Sequence, residues 1–184
     1  MLIRLALALL VMLAASAAQA QQRSPQGQRP AQSGQPQLTR HGQWVEGSLN
    51  APGRQGCISG TPSPGRGSLQ ITIGKGADEV VVLVLAVQME GATFAADETV
   101  RFRVDQRTFE MQGRVPRAGA PVMVVLATTE DEARQISDLL VAMRAGRELR
   151  VDVGSRNLNL SLSGAGAALQ KMRECAQRAN MMPR

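Results

Sequence analysis

Short segments of alternating apolar and polar residues are the feature that most restricts how this chain can fold. The segments SLQITI (68–73), ELRVDV (148–153) and LNLSLS (158–163) each place an apolar side chain at every second position. A period of two predicts strands that bury one face and expose the other. Turns join these segments, and strands do not alternate regularly with helices, so we expect antiparallel pairing.

The segment VRFRV (100–104) alternates in the same way, with its valines and Phe102 directed inward and Arg101 and Arg103 directed outward. A two-residue turn separates it from RTFEMQ (107–112), and this spacing predicts a hairpin. The segment VVVLVLAVQ (80–88) is continuously apolar and β-branched, which predicts a central strand buried on both faces.

Three further strands are predicted in GQWVEGSL (42–49), CIS (57–59) and APVMVVLA (120–127). About eight strands are therefore expected, together with two helices. The predicted fold class is mainly β (α+β): an antiparallel β-sandwich or flattened barrel with two helices, one of them C-terminal.

The helices are marked by their ends and by their period. Thr129 precedes an acidic turn, and Glu132 follows three residues later, which predicts a capping box at the start of the first helix. Gly146 suits the position that follows its end. The second helix is expected over 165–178, and Gly164 and Gly166 before and within it are interpreted as small residues that let the helix pack close to the sheet.

The first residues predict export. A short apolar run follows MLIR and ends in AQA, which is typical of a signal peptide (1–20) cleaved after Ala20. Residues 21–37 contain only Gln, Arg, Ser, Pro, Gly and Ala, a composition that predicts a disordered linker. A single β-rich domain is expected over 38–184. The expected location is periplasmic, or secreted or at the cell surface.

Two cysteines in an exported chain favour one disulfide, between Cys57 and Cys175. Two buried free thiols are the alternative. Trp44, the only tryptophan, is interpreted first as an apolar anchor of the core and second as a stacking surface for a binding partner.

The charge distribution points to anionic partners. The chain has a formal net charge of +6, and its basic residues are mostly arginines. Arg101, Arg103 and Arg107 are the candidate binding residues, with Trp44, for a protein or an anionic component of the envelope or of a host surface. Peripheral contact with a membrane is compatible with this charge. Nucleic acid is not expected, because three Phe, one Trp and no Tyr offer no stacking platform.

The sequence holds no recognisable catalytic or cofactor motif. His41 is the only histidine, no G-x-S-x-G occurs, and the Gly164-Ala-Gly166 stretch lacks the third glycine of a dinucleotide site. Cys-x-x-Cys pairs and Asp-x-Asp loops are absent, so no metal site is expected. We therefore expect no catalytic residues, no cofactor and no enzymatic activity.

Both ends of the domain resemble the invasion-associated locus B family, small exported proteins of α-proteobacteria. HGQWVEG and GRQGCISG match the outline of its opening at Gly42, Trp44 and Cys57, with Gln43 where members typically have Asp. LNLSLSGAGAALQKMREC resembles its end. Members commonly carry a second Cys soon after the Trp, but Glu46 and Gly47 stand there in this chain.

This resemblance implies a β-sandwich-like fold and a place in the envelope or at the surface, and in some members a part in host-cell entry. It implies no catalytic residues. The expected function is therefore that of a non-enzymatic exported envelope protein acting as a binding module. The alternatives are a secreted or surface adhesin or host-invasion factor and, less favoured, a periplasmic hydrolase.

Overall fold

Ten strands and two helices follow one another in the chain, with a long helix placed between strands eight and nine. The computed structural model describes residues 37–51, 54–62, 67–75, 80–117 and 119–182. Its elements are β1 (Gln37–His41), β2 (Trp44–Ala51), β3 (Arg54–Gly60), β4 (Gly67–Lys75), β5 (Val81–Met89), β6 (Asp97–Val104), β7 (Arg107–Arg114), β8 (Val122–Leu126), α1 (Glu130–Ala145), β9 (Glu148–Val153), β10 (Arg156–Ser161) and α2 (Ala165–Arg178).

All strand pairs are antiparallel, and the order across the sheet is β1-β2-β3-β4-β5-β8-β7-β6-β9-β10. The sheet is open, so β1 and β10 are its edges. Strands β7 and β8 share a single residue pair, Arg114 with Val124. The sheet therefore divides at this point into a six-stranded part (β1–β5 and β8) and a four-stranded part (β7, β6, β9 and β10).

The predicted fold class, mainly antiparallel β with two helices and one of them C-terminal, is confirmed. The expected number of about eight strands was too low. All nine segments named as strands form strands, and the one omitted is β1, whose sequence QLTRH has no apolar alternation and lies exposed at the sheet edge. Such a strand forms through main-chain pairing with β2, which a side-chain pattern does not reveal.

The inner faces of both sheet parts form one hydrophobic core. Each alternating strand supplies every second residue to it, and the helices add Ile136, Leu139 and Met143 from α1 and Ala168, Leu169 and Met172 from α2. The hairpin predicted from VRFRV and RTFEMQ is present, with Val104 opposite Arg107 across the turn.

The prediction that 80–88 is buried on both faces was wrong. Leu85 and Val87 are buried on the inner face, whereas Val82, on the outer face, is 36% exposed. The strand is central in the sheet order, as expected, but no described element packs on its outer face. Valine-rich sequence alone cannot tell a strand covered within the chain from one left open.

The start of α1 is built as predicted. Glu132 N donates to Thr129 Oγ1 at 3.2 Å, and Thr129 N donates to Glu132 Oε2 at 3.0 Å, which completes the capping box. Gly146 follows the last turn but has an extended backbone (φ −80°). A side chain at Gly146 would overlap Val104 and Leu162, so the position requires a small residue and not a left-handed one.

The expected signal peptide (1–20), its cleavage after Ala20 and nearly all of the expected linker (21–37) lie outside the described residues. The first described strand begins at Gln37. Neither helix in the described part of the chain has the length and apolar character needed to span a membrane.

Candidate functional site

The outer face of the four-stranded part is polar, and we call it the polar face. Strands β6 and β9 pair so that Phe102 lies opposite Val151 on the buried side. The alternation then directs Arg101 and Arg103 outward, as the sequence predicted. Strand β10 extends this surface with Asn157 and Asn159, which lie opposite Asp152 and Arg150 of β9.

A groove of about 400 Å³ crosses the polar face over β6, β9 and β10. It is lined by Arg103, Asp105, Glu148, Leu149, Arg150, Asn159, Leu160 and Ser161. The groove is open to solvent, and most of its lining side chains are polar or charged. A groove of this kind suits a polar ligand held by hydrogen bonds and charge, not an apolar ligand that must be enclosed.

Two arginines that line the groove occupy opposite positions on neighbouring strands. Arg103 and Arg150 are directly opposite residues of β6 and β9. Arg150 is paired with Asp152, with 2.7 Å between Nε and Oδ1. Arg103 has no carboxylate partner among the described residues. Like charges in directly opposite positions destabilise a sheet, so an anion placed between these arginines would relieve their repulsion.

The other end of the groove is acidic. Asp105, in the β6–β7 turn, accepts hydrogen bonds from Arg147 N at 3.3 Å and from Glu148 N at 3.2 Å. The Glu148 side chain lies one step along β9 from Arg150 on the same face. The basic and acidic ends are therefore separated by about 7 Å, two residues of a strand. The groove is dipolar and offers both a cationic and an anionic contact.

The other predicted binding residues lie outside the groove. Arg101 is on the polar face but pairs with Glu110, with 2.7 Å between Nη2 and Oε1. Arg107 lies at the start of β7, with its guanidinium 5.3 Å from the centre of the Phe109 ring. Each of these arginines therefore already has a partner within the chain and is less available to an external ligand. Of the arginines singled out in the sequence, only Arg103 lines the groove.

Trp44 is not at a binding surface, so its inclusion among the binding residues was wrong. Its side chain is fully buried, because β2 directs it into the core between the two sheet parts. The indole Nε1 donates to the main-chain oxygen of Ser161 at 2.9 Å. Trp44 therefore acts as the core anchor considered first, and it supports the end of β10 that lines the groove.

The polar groove residues that the sequence analysis missed are Asp105, Glu148, Arg150, Asn159 and Ser161. Alternation in ELRVDV and LNLSLS already directs the strand residues of this set outward, whereas Asp105 lies in the β6–β7 turn. The alternation does not reveal that β9 pairs with β6, and it is this pairing that brings Arg150 beside Arg103.

The two cysteines form a disulfide that connects β3 to α2. Cys57 is buried, the Cα atoms of Cys57 and Cys175 are 5.9 Å apart, and the two residues are separated by 118 positions in sequence. The bond fastens α2 against the inner face of the six-stranded part.

A second polar cluster lies at the β1–β3 end of the sheet. His41 Nε2 is 3.7 Å from Glu46 Oε1, and Ser59 lies opposite Glu46 on β3. Both His41 Nε2 and Ser59 Oγ are buried and make no hydrogen bond, so the serine and histidine do not bond to each other. The nucleophile–base contact of covalent catalysis is not formed here. Among the described residues, no three His, Cys, Asp or Glu side chains are grouped to hold a metal ion.

Comparison with known proteins bears on the fold and the family. The crystal structure of invasion associated protein B from Bartonella henselae matches with a TM-score of 0.53 and 14% identity, over 77% of this chain and 99% of that one. This likeness shows a shared fold and confirms, at that level, the resemblance found in the sequence. No curated protein matched the sequence. The family described as "Protein of unknown function (DUF1176)" matches residues 54–182, and the chain belongs to this family.

Proposed function

We propose that the chain is an exported, non-enzymatic binding module of the bacterial envelope, and that the groove on the polar face is its binding site. The observation that carries this proposal is Arg103, a cation that lines the groove opposite Arg150 and has no carboxylate partner among the described residues. The ligand would carry an anionic group, such as a phosphate or carboxylate, held between these two arginines.

The acidic end of the groove restricts the range of possible ligands further. A donor group, either an ammonium or a hydroxyl, would reach Glu148 while the anionic group contacts Arg103. Asn159 and Ser161 add neutral polar contacts along the floor. Zwitterionic headgroups and the polar portions of envelope glycolipids or peptides have this combination of groups.

Export is part of the proposal and is supported by the disulfide. A bond between Cys57 and Cys175 is stable in an oxidising compartment. The expected signal peptide (1–20) gives the same location from the sequence.

A secreted or surface adhesin, or a host-invasion factor, is the second candidate. It is favoured by the shared fold with the protein named invasion associated protein B. The two candidates differ in location: a periplasmic protein is protected from protease added to intact cells and released by osmotic shock, whereas a surface protein is digested.

Binding at the groove can be followed through Trp44, the only tryptophan in a chain without tyrosine. Its indole bonds to Ser161, which lines the groove, so occupancy should change its emission. We would titrate the oxidised protein with glycerophosphoethanolamine, which is zwitterionic, and with glycerophosphoglycerol, which is anionic, and repeat each titration by calorimetry.

Arg103→Gln and Arg150→Gln should each weaken binding at least about tenfold, because each removes one charged partner of the anion. Arg101→Gln is the matched control: it lies on the same face but outside the groove, and its affinity should stay within about twofold. Added salt should weaken binding to the wild type. Equal affinity of wild type and Arg103→Gln would reject the groove as the site.

A further inference from the structure

The outer face of the six-stranded part is the counterpart of the polar face and has the opposite character. Ile58, Thr72, Val84 and Leu126 are successive cross-strand partners on β3, β4, β5 and β8, and they form one row across four strands. Val82 and Val124 lie beside this row on the same face. We call these six residues the apolar face.

No described element covers the apolar face, and only the start of α1 comes near it, where Leu126 and Ile136 line a common cavity. Cys57 joins α2 to the opposite, inner side of β3, and α1 contributes its buried residues to the core. Val82 remains 36% exposed and Leu126 39% exposed. A contiguous apolar patch of a few hundred Å² is about the largest that a typical monomer leaves open, and such patches are often contact sites.

The composition of β5 supports the same conclusion. Its continuous run of Val, Leu and Ala is typical of strands that are covered on both faces. Among the described residues, packing is found only on the inner face of β5, over Leu85, Val87 and Met89. The sequence pattern and the structure agree if the outer face of β5 is covered by another molecule.

We propose that the apolar face is the interface of a symmetric homodimer, in which the outer faces of β5 and β8 from two copies pack against each other. A two-fold contact brings the same patch of both copies together, so each patch must complement itself. All six residues are uncharged, and five are aliphatic. An uncharged face can pack against the same face of a second copy without charge repulsion. The polar face could not, because it would bring Arg103 and Arg150 against like charges.

The size of the face sets the expected affinity. Four strands at about 4.8 Å spacing and the five positions from Val82 to Ala86 at about 3.3 Å give roughly 320 Å² per copy, or about 600 Å² for the pair. This area is smaller than that of most specific complexes. The expected dimer is therefore a weak one that forms only toward millimolar protein concentration.

A lipid surface is a poorer match for this face. Interfacial anchoring uses Trp and Tyr rings flanked by basic side chains. The chain has no Tyr, and its only Trp is buried. The aliphatic row instead resembles the flat faces through which two β-sheets pack about 10 Å apart.

The test is sedimentation velocity on the purified, oxidised protein from micromolar to millimolar concentration. Val82→Lys and Val84→Lys each place two like charges in the interface, and we expect the dimer dissociation constant to rise on the order of 100-fold. Gln112→Lys, an exposed outward residue of β7, is the matched control and should leave the constant unchanged.

A wild type that stays monomeric at every concentration would overturn the proposal. So would a dimer that persists in both lysine variants, because another surface would then form it. Vesicle binding by a monomeric wild type, abolished in Val82→Lys, would assign the face to lipid instead.

A measurement on the wild type alone covers the case in which the lysine variants fail to fold. On dilution, the methyl NMR signals of Val82, Val84 and Val124 should shift, while those of the buried Val151 stay fixed. Shifts confined to other residues would reject the apolar face as the interface.

Discussion

The indole of Trp44 and the main-chain oxygen of Ser161 are joined by a 2.9 Å hydrogen bond between residues 117 positions apart in sequence. Close by, Gln43 N donates to the main-chain oxygen of Ser163 at 3.1 Å. These two bonds connect the first hairpin of the six-stranded part to the end of β10, in the four-stranded part. One buried side chain thus secures both the contact between the sheet parts and one wall of the groove.

Replacing Trp44 with Phe should lower the free energy of unfolding by about 1–3 kcal/mol, since it removes both the hydrogen bond and buried volume. Ser161→Ala keeps the main-chain acceptor and should cost less than about 1 kcal/mol. Urea unfolding followed by circular dichroism compares the two variants. If Trp44→Phe proved as stable as the wild type, the bond to Ser161 would not contribute to holding the sheet parts together.

Reducing the disulfide should destabilise the fold strongly, because Cys57 and Cys175 are separated by 118 positions. Releasing a loop of this length costs about 4–5 kcal/mol in the chain-entropy model. The double variant Cys57→Ala, Cys175→Ala should match the reduced wild type in urea midpoint. Reductant should not change the urea midpoint of the double variant. A wild type whose urea midpoint does not fall when reductant is added would contradict the prediction.

Local features of this fold could be predicted from sequence because neighbouring residues determine them. The β6–β7 hairpin follows from alternation on both sides of Asp105 and Gln106, and the start of α1 follows from Thr129 and Glu132. In each case the partners that form the structure lie within a few residues, so their spacing carries the information.

Features that depend on pairing between distant strands could not be predicted in the same way. Arg103 meets Arg150 only because β9, which follows α1, pairs with β6. The alternation of each strand is equally compatible with other neighbours. The groove and the open face of β5 are therefore products of the strand order, which single-strand patterns do not contain.

Gly164 and Gly166 offer a paired test of why small residues precede the last helix. Gly164 has a left-handed backbone (φ +92°), and a side chain there would overlap the main-chain oxygen of His41. Gly164→Ala should therefore destabilise the protein by more than about 2 kcal/mol. The requirement comes from close approach to the β1–β2 turn, in agreement with the packing interpretation of these glycines.

Gly166→Ala is the matched control within α2. An added Cβ would lie 3.2 Å from the main-chain oxygen of Arg144, a tight contact. The gain in helix propensity, about 1 kcal/mol, offsets it, so we expect a change within about 1 kcal/mol. Thermal unfolding of both variants gives the comparison, and similar losses in the two would show that backbone conformation at Gly164 is not the cause.

The capping box should make stability depend on pH through Glu132. Hydrogen bonds from the side chain of Thr128 first, and then from the main chain of Thr128 and from Thr129, lower the pKa of Glu132 from 4.5 to about 2. A carboxylate whose pKa is lower in the folded state stabilises the fold above its unfolded pKa. This contribution is complete above about pH 4.5 and is lost as the pH falls toward 2.

Glu132→Gln isolates this contribution, because the amide keeps the length of the side chain but does not titrate. Between pH 4.5 and 2 the free energy of unfolding of the wild type should fall more steeply than that of the variant, as measured by urea unfolding at each pH. Glu130→Gln, in the same first turn but outside the capping box, should retain the steep fall of the wild type. Parallel curves for wild type and Glu132→Gln would mean that the carboxylate of Glu132 titrates alike in the folded and unfolded chain. The bonds to Thr128 and Thr129 would then not hold it ionised.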